Sequence, residues 1–388
     1  MAVAFLWFYQ YSFDLDLSKT IMIQQNILLP ILAFLISMLV ASITMPWLLR
    51  LCKKKGLYDL PDERKVHTNN IPRLGGAVFV PSILLGMCVS VYALSAIEGG
   101  FPAFHPSTFA IVTGVFIIYL IGLLDDLMGL RATFKFAIQL STALFLPFCN
   151  LYVNNFDGLF GLGEVASWVG YPFTILLCLL IVNSINLIDG IDGLASGLSV
   201  IALTAFTVLF ARLDVLMYTL LTASLIGAVL VFMYYNLFGK AERGTKTFMG
   251  DTGSLILGYA LAYLVMKYSM SNSAVLPARP HALMIACTLL LIPIFDLIRV
   301  ALTRLAHGKG IFHPDKTHIH HLCMAAGFSM RQSLVMILSA QLLFICLNVC
   351  LLLWANVAPT LVLGIDILFF AAGIWWLIFR GKRLSKAS

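Results

Sequence analysis

Residues 170–211 read GYPFTILLCLLIVNSINLIDGIDGLASGLSVIALTAFTVLFA. Two apolar runs, 170–187 and 194–211, each have the length a helix needs to cross a bilayer. Asp189 and Asp192 are the only charged residues in the stretch, and a glycine follows each of them. An acid at membrane depth is costly unless it has a partner or a task. The stretch therefore predicts two membrane helices joined by a short turn, with a site at the turn. At helical spacing Asp189 and Asp192 share a face, as Asn186 does with Asp189.

The same pattern extends outward along the whole chain. Of its 388 residues 61% are hydrophobic and 11% charged, and the mean hydropathy is +0.96. A soluble domain is nearer half apolar and a quarter charged. The fold class is all-α, a polytopic integral membrane protein, and residues 1–388 read as one unit without repeats. Eleven spans are expected at roughly 26–50, 75–97, 106–124, 133–152, 170–187, 194–211, 214–236, 253–270, 281–303, 332–355 and 358–379. The first apolar stretch is broken by Asp14, Asp16 and Lys19 and has no basic residues before it, so it does not read as a signal peptide. The eight cysteines are scattered, and they are expected to be small buried residues without disulfide or metal spacing.

Lys and Arg in the connections orient such a chain. With the N-terminus outside, all of the 25 lysines and arginines except Lys19, Arg212, Lys267 and Arg279 fall on the cytoplasmic side. An odd span number then leaves the C-terminus cytoplasmic. The net charge of +7 becomes a property of the inner face. It suits anionic lipid or a phosphorylated substrate and calls for no nucleic-acid partner.

Under this topology five polar clusters meet at the cytoplasmic surface, in loops at about 51–74, 125–132, 188–193, 237–252 and 304–331. GLLDDL (122–127) places Asp125 beside Asp126, and adjacent carboxylates need a cation, a proton or water. Lys135 follows; the plainer reading is a solvated helix end. NLIDGIDGL (186–194) is the second cluster. TFMGDTGS (247–254) opens a span with Asp251, either as a simple N-cap or as part of a phosphate-cradling turn. HPDKTHIHH (313–321) carries His318, His320 and His321, suited to sugar or phosphate oxygens, to zinc, or to nothing beyond a solvated loop. Contact with an anion or sugar ranks above zinc. RKVHTNNIPRLGG (64–76) contains Arg73 ahead of two glycines and either holds phosphate or only sets topology. Asp296 and Arg299, three residues apart on one span, are placed to pair with each other. Pro293 is expected to kink or break that helix. Hard carboxylate oxygens gathered at one depth suit Mg²⁺, which takes one or two protein carboxylates together with substrate phosphates.

These motifs, in this order, resemble the polyprenyl-phosphate N-acetylhexosamine-1-phosphate transferases, the superfamily that includes the bacterial phospho-MurNAc-pentapeptide translocase. The resemblance runs from about Asp59 to Arg331. The H-I-H-H form and eleven expected spans are similar to the undecaprenyl-phosphate GlcNAc-1-phosphate transferases, whereas the translocases carry three consecutive histidines. The resemblance implies a Mg²⁺-dependent (or Mn²⁺-dependent) transfer of N-acetylhexosamine 1-phosphate, GlcNAc above others, from a UDP-sugar to undecaprenyl phosphate. It also implies UMP release, the bacterial cytoplasmic membrane as location, a cytoplasm-facing site and an association that is often a homodimer. By the same resemblance Asp251 holds the metal, and Asp125, with Asp126, orients or deprotonates the lipid phosphate. Lys135 then contacts phosphate. Asn186, Asp189, Asp192 and Asn236 line the nucleotide pocket, Phe248 stacks on uracil, and His318, His320, His321 and Arg304 meet the sugar and its phosphate. One-step and two-step paths both fit.

Two rivals fare worse. A CDP-alcohol phosphotransferase begins like Asp189–Gly193 but needs later aspartates that this chain lacks there. An ion-coupled transporter predicts acids at mid-span and internal repeats.

Overall fold

The computed structural model describes residues 2–58, 71–102, 106–271, 276–310 and 317–387, with side chains from Gln25 to Ser385. The acidic and basic motif at 59–67 and the start of the histidine loop at 313–316 lie outside the described residues. The described chain is helical: α1 (Ala2–Lys55), α2 (Phe79–Glu98), α3 (Pro106–Met128), α4 (Ala132–Phe148), α5 (Ser167–Ile188), α6 (Leu194–Ala211) and α7 (Leu216–Phe238) come first. They are followed by α8 (Gly250–Ser269), α9 (Ala282–Thr288), α10 (Leu291–Ala306), α11 (Ile319–Ala325), α12 (Met330–Val349) and α13 (Pro359–Ala387). No β-strand forms among these residues.

A helix, or one bent pair, lies on each of the eleven expected spans, but they are not equal. Among the described residues, eight segments are long and apolar enough to cross a membrane, and α9 with α10, bent by 79°, makes up to nine. The shortfall falls on α4, which has 17 residues, and on α8. For α8 the reason is its position. Every residue from Thr252 to Ser269 is buried by protein, so no side of this helix has to dissolve in lipid. It tolerates a fully buried Lys267, whose Nζ donates to Ser107 Oγ at 3.3 Å and sits 5.2 Å from the Tyr218 ring centre. The outer helices are the reverse: Leu28, Leu39 and Ile43 of α1 and Leu368 and Trp375 of α13 are exposed, an apolar exterior suited to acyl chains.

Helix α8 packs against α3, α5, α6 and α9. Its contact with α3 is set by glycine. A Cβ on Gly114 would lie 2.1 Å from the Tyr259 hydroxyl oxygen, and one on Gly122 would lie 2.5 Å from Thr252 Cα. Small residues let helix backbones touch inside a membrane. This seats the last turn of α3, with Asp125 and Asp126, against the first turn of α8.

The expected interruption near Pro293 is real but sits earlier, between Thr288 and Leu291. Pro293 falls in the first turn of α10, where its missing N–H costs nothing. The freed backbone groups are met by Gln341 of α12, which donates to the Thr288 carbonyl at 2.8 Å and accepts from Ile292 N at 3.0 Å. Asn348 adds bonds to Thr288 Oγ1 and Asp366 Oδ2, both at 2.8 Å. Backbone that breaks at membrane depth survives only where protein satisfies it. All eight cysteines are unpaired, as expected, although Cys88, Cys346 and Cys350 are exposed rather than buried.

Replacing Gly122 with alanine overpacks the α3–α8 contact and should cost about 1–3 kcal/mol, read as a lower thermal midpoint in detergent. The same change at Gly373, whose Cβ would meet nothing within 4 Å, should not lower it.

Candidate functional site

The ends of α3, α5 and α7, the start of α8 and the short helix α11 surround one cavity of about 1030 Å³. Every site residue expected from the sequence lines it except His318 and Arg304.

On the floor, Lys135 reaches from α4 to two acids. Its Nζ donates to Asp251 Oδ2 at 2.6 Å and to Asp125 Oδ2 at 2.9 Å. Asp125 Oδ1 accepts from Leu130 N at 2.6 Å, and Asp251 Oδ1 accepts from Asn186 Nδ2 at 3.0 Å. Asn186 also donates to Ser254 Oγ at 2.8 Å. Thus α3, α4, α5 and α8 are tied through one ammonium and one amide. Charge-assisted bonds of this kind are the stronger class.

Asp126 points elsewhere. Its carboxylate accepts from Asp251 N and Thr252 N, each at 2.9 Å, and from Thr252 Oγ1 at 2.6 Å. Arg73 Nε lies 3.3 Å from it, and Arg73 Nη2 donates to the Asp125 carbonyl at 3.2 Å. The first turn of α8 is therefore capped by an acid from another helix, and Asp251 is not its own N-cap. The amides expected to cradle a phosphate are occupied by an internal anion.

The turn between α5 and α6 departs from the helical register expected of it. Helix α5 stops at Ile188 and α6 starts at Leu194, with Gly193 at φ +78°. Asp189 and Asp192 therefore line the cavity from a turn and not from one helical face. Asp192 pairs with Lys246. Asn236 donates to Asp192 Oδ1 at 3.3 Å and to the Thr247 carbonyl at 2.9 Å, and its Oδ1 accepts from Gly193 N at 2.7 Å. It staples this turn to the segment bearing Phe248. That segment is itself paired with the first loop: Phe248 N donates to the Pro72 carbonyl at 2.8 Å, and Gly75 N to the Phe248 carbonyl at 2.9 Å.

Asp189 has no hydrogen-bond or ion-pair partner among the described residues. Burial, then the charges of Asp251, Asp192 and Asp126, push its carboxyl up to about 7.

The opposite wall is α11. The His320 ring is almost fully buried. A Cβ on Gly190 would lie 2.2 Å from its Nε2, so the glycine of the acidic turn makes room for the imidazole. Burial and the neighbouring His321 and His318 rings hold His320 down to about 3, so it is neutral. His321 lies beside it, with ring centres 4.2 Å apart. His318 faces away, with Nδ1 2.9 Å from Asp296 Oδ2. Arg304 is buried in the last turn of α10. Among the described residues no three His, Cys, Asp or Glu side chains are grouped to hold a metal.

Sequence reasoning missed Lys246, which it read only as a topology charge. The available signal was alternation: in 246–248, Lys246 and Phe248 line the cavity, while Thr247 Oγ1 turns to the Pro72 carbonyl at 3.0 Å. It also left Asp296 as an ordinary acid.

Residues 108–269 match the model of the family described as Glycosyl transferase family 4. The chain is similar to a Bacillus subtilis (strain 168) protein named "Probable undecaprenyl-phosphate N-acetylglucosaminyl 1-phosphate transferase", with 35% identity over 81% of this chain and 83% of that one. It is also similar to proteins named "Undecaprenyl-phosphate alpha-N-acetylglucosaminyl 1-phosphate transferase". For that of Escherichia coli (strain K12), identity is 30% over 76% of each chain. For that of Yersinia pestis, it is 30% over 75% of this chain and 76% of the other.

Asp126→Ala uncaps α8 and leaves its first amides without their acceptor, and should cost about 2 kcal/mol. Asp192→Ala removes a part-exposed pair and should cost less than about 1 kcal/mol. Thermal midpoints of the two purified variants should rank in that order.

Proposed function

The chain belongs to glycosyl transferase family 4, and we propose that it transfers N-acetylglucosamine 1-phosphate from UDP-N-acetylglucosamine to undecaprenyl phosphate, releasing UMP. The observation that carries this reading is the acid-lined cavity at one end of a membrane bundle, in a chain whose relatives bear these names. The product would start a lipid-linked cell-surface glycan. The charge of the connections supports eleven spans, a cytoplasmic C-terminus and a cavity open to the cytoplasm of a bacterial inner membrane.

An oxygen of the lipid phosphate attacks the phosphorus that bears the sugar. A new P–O bond forms, the diphosphate P–O bond breaks, and UMP leaves with the bridging oxygen. Such a displacement needs positioning and charge neutralisation more than covalent help. The lipid phosphate, with a second pKa of about 6, is largely ionised at neutral pH, so orientation outweighs deprotonation. Asp125 serves by holding Lys135, whose ammonium steadies a phosphate oxygen at the floor. Asn186, Asp192 and Asn236 hold the nucleotide, and Phe248 offers its ring to uracil. His320 and His321 meet the sugar and its phosphate, with His320 acting as a neutral donor or acceptor.

The donor set fits Mg²⁺. Among the described residues Asp189 has no hydrogen-bond or ion-pair partner, and Asp251 lies on the same cavity, both as hard oxygen donors. Asp251 and Asp189 would hold the ion together with substrate phosphates. Bound there, it would supply charge neutralisation for the diphosphate and the departing UMP.

Purified protein given UDP-N-acetylglucosamine, undecaprenyl phosphate and Mg²⁺ should release UMP, and absence of UMP from every UDP-amino sugar tried would overturn the reading. Asp251→Asn should lose more than about tenfold of that rate, roughly 1.4 kcal/mol in the barrier. The raised carboxyl of Asp189 gives a sign for pH. Unfolded, this acid titrates near ~4, and folded without metal it titrates at about 7. The folded state then holds the extra proton between those values, so metal-free stability should fall as pH rises from ~4 to ~7 and level off above. Thermal midpoints across pH should show that slope, and Asp189→Asn should flatten it.

A further inference from the structure

Asp296 sits on α10, nearly fully buried and outside the cavity lining. It is engaged on every side. Arg299 Nη2 donates to its Oδ1 at 2.7 Å and also bonds the Thr317 carbonyl. His318 Nδ1 meets its Oδ2 at 2.9 Å. Ile319 N, the first amide of α11, donates to both oxygens, at 3.1 and 3.2 Å. One carboxylate thus fixes the entry to the helix that carries His320 and His321. The His318 and His320 rings lie nearly parallel, 4° between planes with centres 6.1 Å apart, so the clasp also sets the plane of the imidazole against Gly190. The same helix also packs against α13, whose Arg380 lies 4.4 Å from the ring centre of Phe328, in the connection that follows α11.

We propose that Asp296 and His318 are positioning residues that hold α11 against the cavity, and that of the three histidines His318, His320 and His321 the last two meet the substrate. This rests on the transferase reading, but the clasp can be tested apart from it. A buried carboxylate with a cation, an imidazole and a helix amide around it is the kind of support that keeps site residues in productive register.

The test uses the full-length purified protein and two readouts. In steady-state UMP release, His318→Leu and Asp296→Asn should each lower kcat at least about tenfold, the scale of a small misplacement of reacting groups. His318→Asn, whose amide N–H can stand where Nδ1 stands, should restore activity to within about threefold of wild type. If His318→Asn is as defective as His318→Leu, the imidazole itself acts on substrate and the proposal falls. The second readout is maleimide labelling of Cys323, fully buried on α11, mapped by peptide mass spectrometry. Labelling should rise in His318→Leu and Asp296→Asn and return to the wild-type level in His318→Asn. Unchanged protection in the first two variants would overturn the clasp even if activity fell. If wild type releases no UMP, the transferase reading fails while the labelling still decides whether the clasp exists.

Discussion

The carboxylate of Asp126, laid across the first amides of α8, is the contact on which the rest of the site depends. Four N–H groups at the start of any helix lack partners within it, and here the helix starts inside a bundle. An acid on α3 supplies the acceptors, and it reaches them because Gly122 lets the two backbones touch. With Asp126 spent on the cap, its neighbour Asp125 is left facing Lys135 and Asp251. Adjacent acids in the sequence thus take different duties, one capping α8 and one holding Lys135.

The charges around the cavity are arranged rather than merely numerous. Arg73 stands by Asp126, Lys135 is shared by Asp125 and Asp251, and Lys246 answers Asp192. Asp189 is left over among the described residues, and burial, then the neighbouring carboxylates, raises its carboxyl. A site in which acids outnumber cations, built from oxygen donors, is prepared for a cation that arrives with a phosphorylated partner. That is the physical basis of the proposed reaction, and it involves neither the prenyl chain nor the exact sugar.

Much of this was legible in the residues. Apolar runs located the helices because lipid solvates only satisfied backbone, and rare polar residues in a greasy chain stood out as site candidates. The limits of that reading are equally physical. Length and apolarity did not separate α8, which is wrapped by protein, from helices that face lipid. Helical periodicity was extended through Asp189 and Asp192, where the glycines end the helix. A lone acid near a histidine motif gave no hint of which imidazole it grips, since Asp296 and His318 are 22 residues apart. Pairings across the bundle, such as Lys246 with Asp192 over 54 positions, leave no local periodicity to read.

The enclosure of α8 bears on how the protein is made. A segment with Asp251 in its first turn and Lys267 in its last partitions less readily alone from a translocation channel into lipid than the uncharged apolar helices around it. Its tyrosine and lysine partners, Ala110 and Ser107, belong to α3, synthesised well before it. Biogenesis therefore favours an order in which earlier helices wait at the channel mouth and receive α8 directly into a ready-made slot.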